Sequence, residues 1–276
     1  MAAARPRTIA LHLPSFAATE RLLAFAVPLA ARFGAKLIGV HVLPTVVVYA
    51  DATVSMGTEF IVAQQETFQA DSARIESAFR ERTGAAGVPH AWLGGDSANE
   101  PTMRTVSERC QASDLVVCAQ YEETIPAAAG YSPDEMVLSV GRPIVVVPAA
   151  GASPDIGKRI LIGWNGKREA ARVAFDLIGI ADAGAAVRIA TVDGKGMETS
   201  QALREALEVH GLEVDVIADQ AEGATTAERL FACATEFGAD LLAIGAYSRS
   251  RIRETVFGGT SSRVLREPKL PVLTAH

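Results

Sequence analysis

The sequence is poor in the features that most directly announce a function. It holds 3 cysteines in 276 residues, and Cys110, Cys118 and Cys233 show no CxxC spacing. So odd and sparse a set argues against a disulfide framework and a zinc site, and reads instead as small core hydrophobes in a reducing compartment. Basic charge is not in excess: 26 Lys and Arg stand against 32 Asp and Glu, for a net charge of -6. That balance lacks the electrostatic footprint of a nucleic-acid binder. Long hydrophobic runs are missing too. The residues before Pro14 carry arginines and no apolar core, and Leu22–Phe33 is short and interrupted by Pro28 and Arg32. Neither a secretion signal nor a membrane span is expected, and the default location is the cytoplasm. No G-x-S-x-G elbow, Walker lysine or dinucleotide G-x-G-x-x-G follows a first strand, so no catalytic residue and no metal ligand is nominated.

What is present is apolar material, 49% of the chain against 21% charged, and a repeat. Arg7–Pro14 lines up with Arg159–Asn165: a basic residue, an apolar run, a polar turn. Alanine-rich amphipathic helices follow at Ala18–Phe33 and Glu169–Ile180, then second strands at Ala35–Val42 and Ala185–Val192. Ala112–Ala119 matches Gly238–Gly245, pairing Asp114 with Asp240, and both halves close on a Pro-led strand, Arg142–Pro148 and Leu270–His276. The first half is the longer, mainly within Leu43–Gly84, where Glu59–Arg82 reads as one long helix with Ile61, Phe68, Ile75 and Phe79 on a face. Small residues and Pro154 in Ala149–Gly157 mark a linker, which divides the chain into residues 1–150 and 151–276.

Strands alternating with helices, several of them unbroken apolar runs, predict an α/β fold in two tandem Rossmann-like units. Each unit is a doubly wound, five-stranded parallel sheet, and a ligand would sit beyond the strand C-termini where strand order reverses. The terminal strands Pro143–Pro148 and Pro271–His276 are expected at sheet edges, able to pair between the halves as a pseudo-dimer, with a further homodimer open.

After the fourth strand of the second half, Gly245 opens a loop with arginines at 249, 251 and 253, a Gly258-Gly259 pair, and Thr260, Ser261 and Ser262. Close-approaching backbone, free N–H groups and a helix dipole suit a phosphate there. The other reading is that the glycines only turn the chain and a hydroxyl caps the helix. The equivalent first-half stretch, Ala119–Glu135, has no glycine pair and places Glu122 and Glu123 where a phosphate would approach. That half is expected to be a degenerate, structural copy.

Residues 158–276 resemble a universal stress protein domain, whose phosphate loop follows G-x2-G-x9-G-[S/T], and both halves resemble its adenine nucleotide alpha hydrolase-like fold. Gly245 and Gly258 match the first and third glycines; Ser248 replaces the second, and Gly259 takes the hydroxyl position, with Thr260 and Ser261 following. The resemblance implies an adenine nucleotide, ATP with magnesium, against Asn165 (where an Asp is usual), Val192 backbone, Gly245, Ser248, Arg249, Gly258, Gly259, Thr260 and Ser261. It also implies a non-enzymatic stress-response role. A nucleotide-free dimeric scaffold is the alternative, and a slow ATPase, for which Glu254 is the only acid near the loop, ranks last. His12 and His41 at strand ends, and His90 and His210 at turns, read as structural. Arg204, Glu205 and Glu208 read as a solvated helix face. Asp96 and Asp219 follow the third strands, where approach to a pocket is the less favoured reading.

Overall fold

The computed structural model describes residues 5–43, 58–97, 100–123, 125, 131–246 and 259–276, without the side chains of 58–64. The first half runs β1 (Thr8–His12), α1 (Phe16–Phe33), β2 (Lys36–Val40), α2 (Thr58–Ala85), β3 (His90–Leu93), α3 (Thr102–Cys110), β4 (Leu115–Ala119), α4 (Pro133–Val140), β5 (Ile144–Val147). The second repeats the order: β6 (Arg159–Gly163), α5 (Arg168–Asp176), β7 (Ala186–Val192), α6 (Met197–Glu208), β8 (Glu213–Asp219), α7 (Thr226–Phe237), β9 (Leu241–Gly245), α8 (Thr260–Arg266), β10 (Val272–Ala275).

Every residue of β4, β5 and β10 is buried, as unbroken apolar runs covered on both faces require. The helices read as their sequences dictate. Ser15 caps α1, its hydroxyl accepting from the Ala18 amide at 3.3 Å, and left-handed Gly34 ends it. Pro28 lies inside α1 without ending it, because it falls on the exposed side, where its missing donor costs least. Thr225 and Glu228 form a reciprocal capping box on α7. The long α2 packs on α1, and its Ile75 and Phe79 are fully buried, Phe79 against His90 and Trp92 of β3; Phe68 is half-buried, and the side chain of Ile61 lies outside the described set.

The strands form one sheet in the order β3-β2-β1-β4-β5-β10-β9-β6-β7-β8. Within each half all pairings are parallel, and each half reverses direction beside its first strand. Each is therefore the doubly wound five-stranded unit that the alternation predicts. Two separate sheets are not what results, however. β5 and β10 pair antiparallel, Val146 opposite Val272 and Val145 opposite Leu273, so the terminal strands expected at edges lie at the centre. Each would otherwise expose unpaired backbone groups, and pairing them removes both edges at once.

The duplication extends to side-chain detail. Asp114 Oδ2 accepts from the Arg7 and Thr8 amides and the Thr8 hydroxyl, each at 2.9 Å. Asp240 accepts from the Gly157, Lys158 and Arg159 amides at 2.7, 2.9 and 2.8 Å. Each carboxylate thus ties the start of one strand to its neighbour. The linker segment is pinned to the first half, since Arg32 donates to the Ile156 carbonyl at 2.7 Å. Among the described residues, no helix is long and apolar enough to cross a membrane.

Candidate functional site

The strand ends of the second half gather around the first turn of α5. After β6, Asn165 Oδ1 accepts from the Lys167 amide at 3.0 Å, an Asx turn that sets the start of the helix. The Trp164 indole donates to the Gly196 carbonyl at 3.0 Å and to Thr199 Oγ at 3.1 Å, fastening this turn to the one after β7. Gly196 itself has φ 85°, and a Cβ there would lie 2.7 Å from the Asn165 carbonyl carbon, so only glycine fits between the two turns. Val192 is buried at the end of β7, and its carbonyl accepts from the Lys195 amide at 3.3 Å.

On the other side of β6, Gly245 ends β9 directly against α5. A Cβ at 245 would sit 2.3 Å from the Ala170 amide nitrogen, so the helix fills the space that glycine leaves. The Ser261 hydroxyl donates to the Gly245 carbonyl at 3.0 Å, holding the first turn of α8 to the strand end. Gly259, the residue before α8, is different. Its φ is -84°, within reach of any residue, and no atom of the described residues stands within 4 Å of an added Cβ. No side chain caps α8 among the described residues, which leaves amide donors of its first turn uncapped beside Thr260.

The structure therefore brings Asn165 and the turn after Val192 together, and Gly245 together with Ser261, with the α5 first turn between the pairs. Ser248, Arg249 and Gly258, with Arg251, Arg253 and Glu254, lie outside the described residues. Sequence reasoning passed over Glu169, an acid on that first turn. It is 3% exposed; Oε1 accepts from Arg168 at 2.5 Å, and Oε2 has no hydrogen-bond partner among the described residues. Burial pushes this carboxyl up, but hydrogen bonding to Arg168 and to its own backbone amide outweighs that and holds it below its ordinary value. The signal available was its place two residues into the helix, where a carboxylate meets the positive dipole end.

The corresponding place in the first half is filled. His12 ends β1 buried, with the Tyr131 ring centred 5.0 Å from its own and the Tyr131 hydroxyl donating to the Ala119 carbonyl. Ile125 is buried as well. Desolvation, with a lesser contribution from His41, lowers the His12 imidazole to about 3, so it is neutral at physiological pH and its Nδ1 has no partner among the described residues. His41 is fixed by the Leu13 carbonyl at 2.7 Å. Glu122 is not the bare repelling charge expected from sequence, because Arg21 reaches across from α1 and pairs with it.

Other candidates resolve into structure. Asp219 is gripped by Arg229 at 2.8 Å through both oxygens, and that hydrogen bonding lowers it to about 2. Asp96 bridges Leu43, and His90 begins β3 rather than lying in a turn. Arg204 and Glu208 pair at 2.8 Å on an exposed helix face. All three cysteines are buried and free, and burial pushes Cys110 and Cys118 up to about 12, so neither is a reactive thiolate. No group of three or more metal-ligating side chains occurs among the described residues.

Residues 158–276 match the sequence model of the universal stress protein family. Over 175 residues the chain is 29% identical to the universal stress protein Slr1230 of Synechocystis, a stretch covering 58% of this chain and 57% of that relative. The match thus spans little more than half of that protein's length. A universal stress protein from Archaeoglobus fulgidus superposes with a TM-score of 0.72 at 14% identity, covering 97% of this chain and 95% of the other. A functionally unknown protein from Pseudomonas aeruginosa PAO1 does so at 0.56 and 17%, covering 98% and 92%. At those identities the structural likeness speaks for the fold alone.

Proposed function

We propose, from a chain whose second half carries a universal stress protein domain, that it acts as a non-enzymatic stress-response module binding an adenine nucleotide there. In this reading residues 1–150 form a structural domain and residues 151–276 the binding domain. ATP with magnesium lies beyond the ends of β6 and β9, its phosphates toward Gly259, Thr260 and the arginine-bearing loop. Occupancy stabilises one state of the chain and so biases which partner it meets. The observation that carries the reading is the asymmetry of the two strand-end sites. His12, Tyr131 and Ile125 fill the first; the second keeps a glycine at 259 that neither its backbone conformation nor any described neighbour demands.

Two contacts favour the second reading, a nucleotide-free dimeric scaffold. The Val192 carbonyl is engaged by Lys195, and the Ser261 hydroxyl by Gly245, so both would have to exchange partners to meet a nucleotide. Mass spectrometry of ligand released from denatured protein, with calorimetric titration of ATP and magnesium, separates the two. Binding that is lost in the Gly258→Asp, Gly259→Asp double variant supports the nucleotide module. Absence of both co-purified nucleotide and titration heat in the parent chain refutes it and leaves the scaffold. ATP turnover that persists in the double variant marks a contaminant.

A further inference from the structure

Where the two halves meet, a cleft of about 570 Å³ lies between the starts of β1, β4 and β5 and the far end of α5. Four guanidinium groups line it from segments distant in sequence: Arg5 and Arg7 before β1, Arg142 before β5, and Arg172 on α5. Like charges held together repel, and such an arrangement focuses a positive field into the cleft. Three carboxylates stand against them: Asp114 and Asp176 in the lining, and Asp182, which pairs with Arg5 at 2.9 Å. Asp114 spends one oxygen on three donors of Arg7 and Thr8. Asp176 lies 3.7 Å from Arg172, and burial pushes its carboxyl above its ordinary value. Four guanidiniums against these three carboxylates leave one positive charge in excess.

The guanidiniums retain donor capacity. Arg142 uses Nε on the Gln111 carbonyl at 2.9 Å, and Arg172 uses Nη2 on the Gly141 carbonyl at 2.9 Å, out of five N–H groups each. The Arg7 side chain makes no hydrogen bond or ion pair with another described residue. Arg5 Nη1 is buried with no hydrogen-bond partner among the described residues, so a donor is left over there as well. At the rim Phe175 is 48% exposed, with the His210 ring centred 6.4 Å away, so an apolar platform stands beside the cationic floor.

We propose that this cleft binds a small oxyanion carrying at least two negative charges on an aromatic or aliphatic body. The charges engage the guanidiniums of Arg7, Arg142 and Arg172, and the body lies on Phe175. A phosphomonoester and a dicarboxylate share this chemistry. The site is distinct from the strand-end nucleotide site, being built by both halves together.

The full chain is titrated calorimetrically at low ionic strength with three probes: phenyl phosphate, phthalate and inorganic phosphate. Phenyl phosphate or phthalate binds, the stronger of the two identifying the oxyanion, and added salt weakens it. Arg7→Gln, whose side chain holds no other described residue, lowers that affinity about tenfold while the melting temperature stays unchanged. Phe175→Ala weakens the aromatic probes and leaves inorganic phosphate as in the parent chain. Gly259→Asp, a change at the other site, leaves all three titrations unaltered. The proposal is overturned if no probe binds the parent chain, if Arg7→Gln binds as the parent does, or if Gly259→Asp abolishes binding.

Discussion

Acidification tests the packing of the first half through one residue. His12 is buried with its imidazole lowered to about 3, against 6.5 for an ordinary histidine. Below pH 6.5 the unfolded chain takes up a proton there that the folded chain refuses, so the stability it contributes is complete above 6.5 and declines as pH falls toward 3. Each pH unit in that window costs about 1.4 kcal/mol, so going from pH 7.5 to 4.5 removes about 2.7 kcal/mol through this side chain alone. Urea unfolding of the parent and of His12→Leu, at several pH values between those limits, isolates the contribution together with its coupling to His41, because the carboxylates and the remaining histidines titrate alike in both chains. Between pH 7.5 and 4.5 the parent should lose that much more stability than the variant. Trp92, in the first half, reports by fluorescence beside the far-ultraviolet signal of the whole chain. Equal slopes for the two proteins would show that His12 is hydrated in the fold, and the argument that Tyr131 and Ile125 fill the strand-end site would fail with it.

Four further outcomes follow from the same contacts. Gly245→Ala places a methyl 2.3 Å from the Ala170 amide nitrogen and should destabilise the second half by about 1–3 kcal/mol in urea; an unchanged midpoint would mean α5 does not pack there. Asp240→Ala removes the acceptor of the Gly157, Lys158 and Arg159 amides and should cost about 2 kcal/mol by the same measurement, the range for hydrogen bonds to a charged group. Thr274, fully buried at the central seam, has a hydroxyl without a partner among the described residues, so Thr274→Val should raise stability by about 1 kcal/mol, and a loss of that size would reveal a bond that the hydroxyl makes. Native protein at pH 8 should show no rapid reaction of Cys110 or Cys118 with a thiol reagent, whereas denatured protein should react at all 3 cysteines; fast modification of either by peptide mapping would contradict their burial.

The sequence by itself determined the alternation of strands and helices, the duplicated element order and the paired Asp114 and Asp240. These are written in local periodicity and in residues that recur at matching places, and a strand buried on both faces has no choice but to be an apolar run. Burial of the cysteines was legible for the same reason. The joining of β5 to β10 was open from sequence, because two apolar terminal strands can pair within the chain or between chains, and the choice depends on how the halves dock. The filling of the first strand-end site by Tyr131, the neutralising of Glu122 by Arg21 across 101 positions of sequence, the buried Glu169 and the arginine cleft were decided by tertiary structure alone. Each depends on side chains that become neighbours only once the sheet has set the distance between them, and no local pattern encodes that distance.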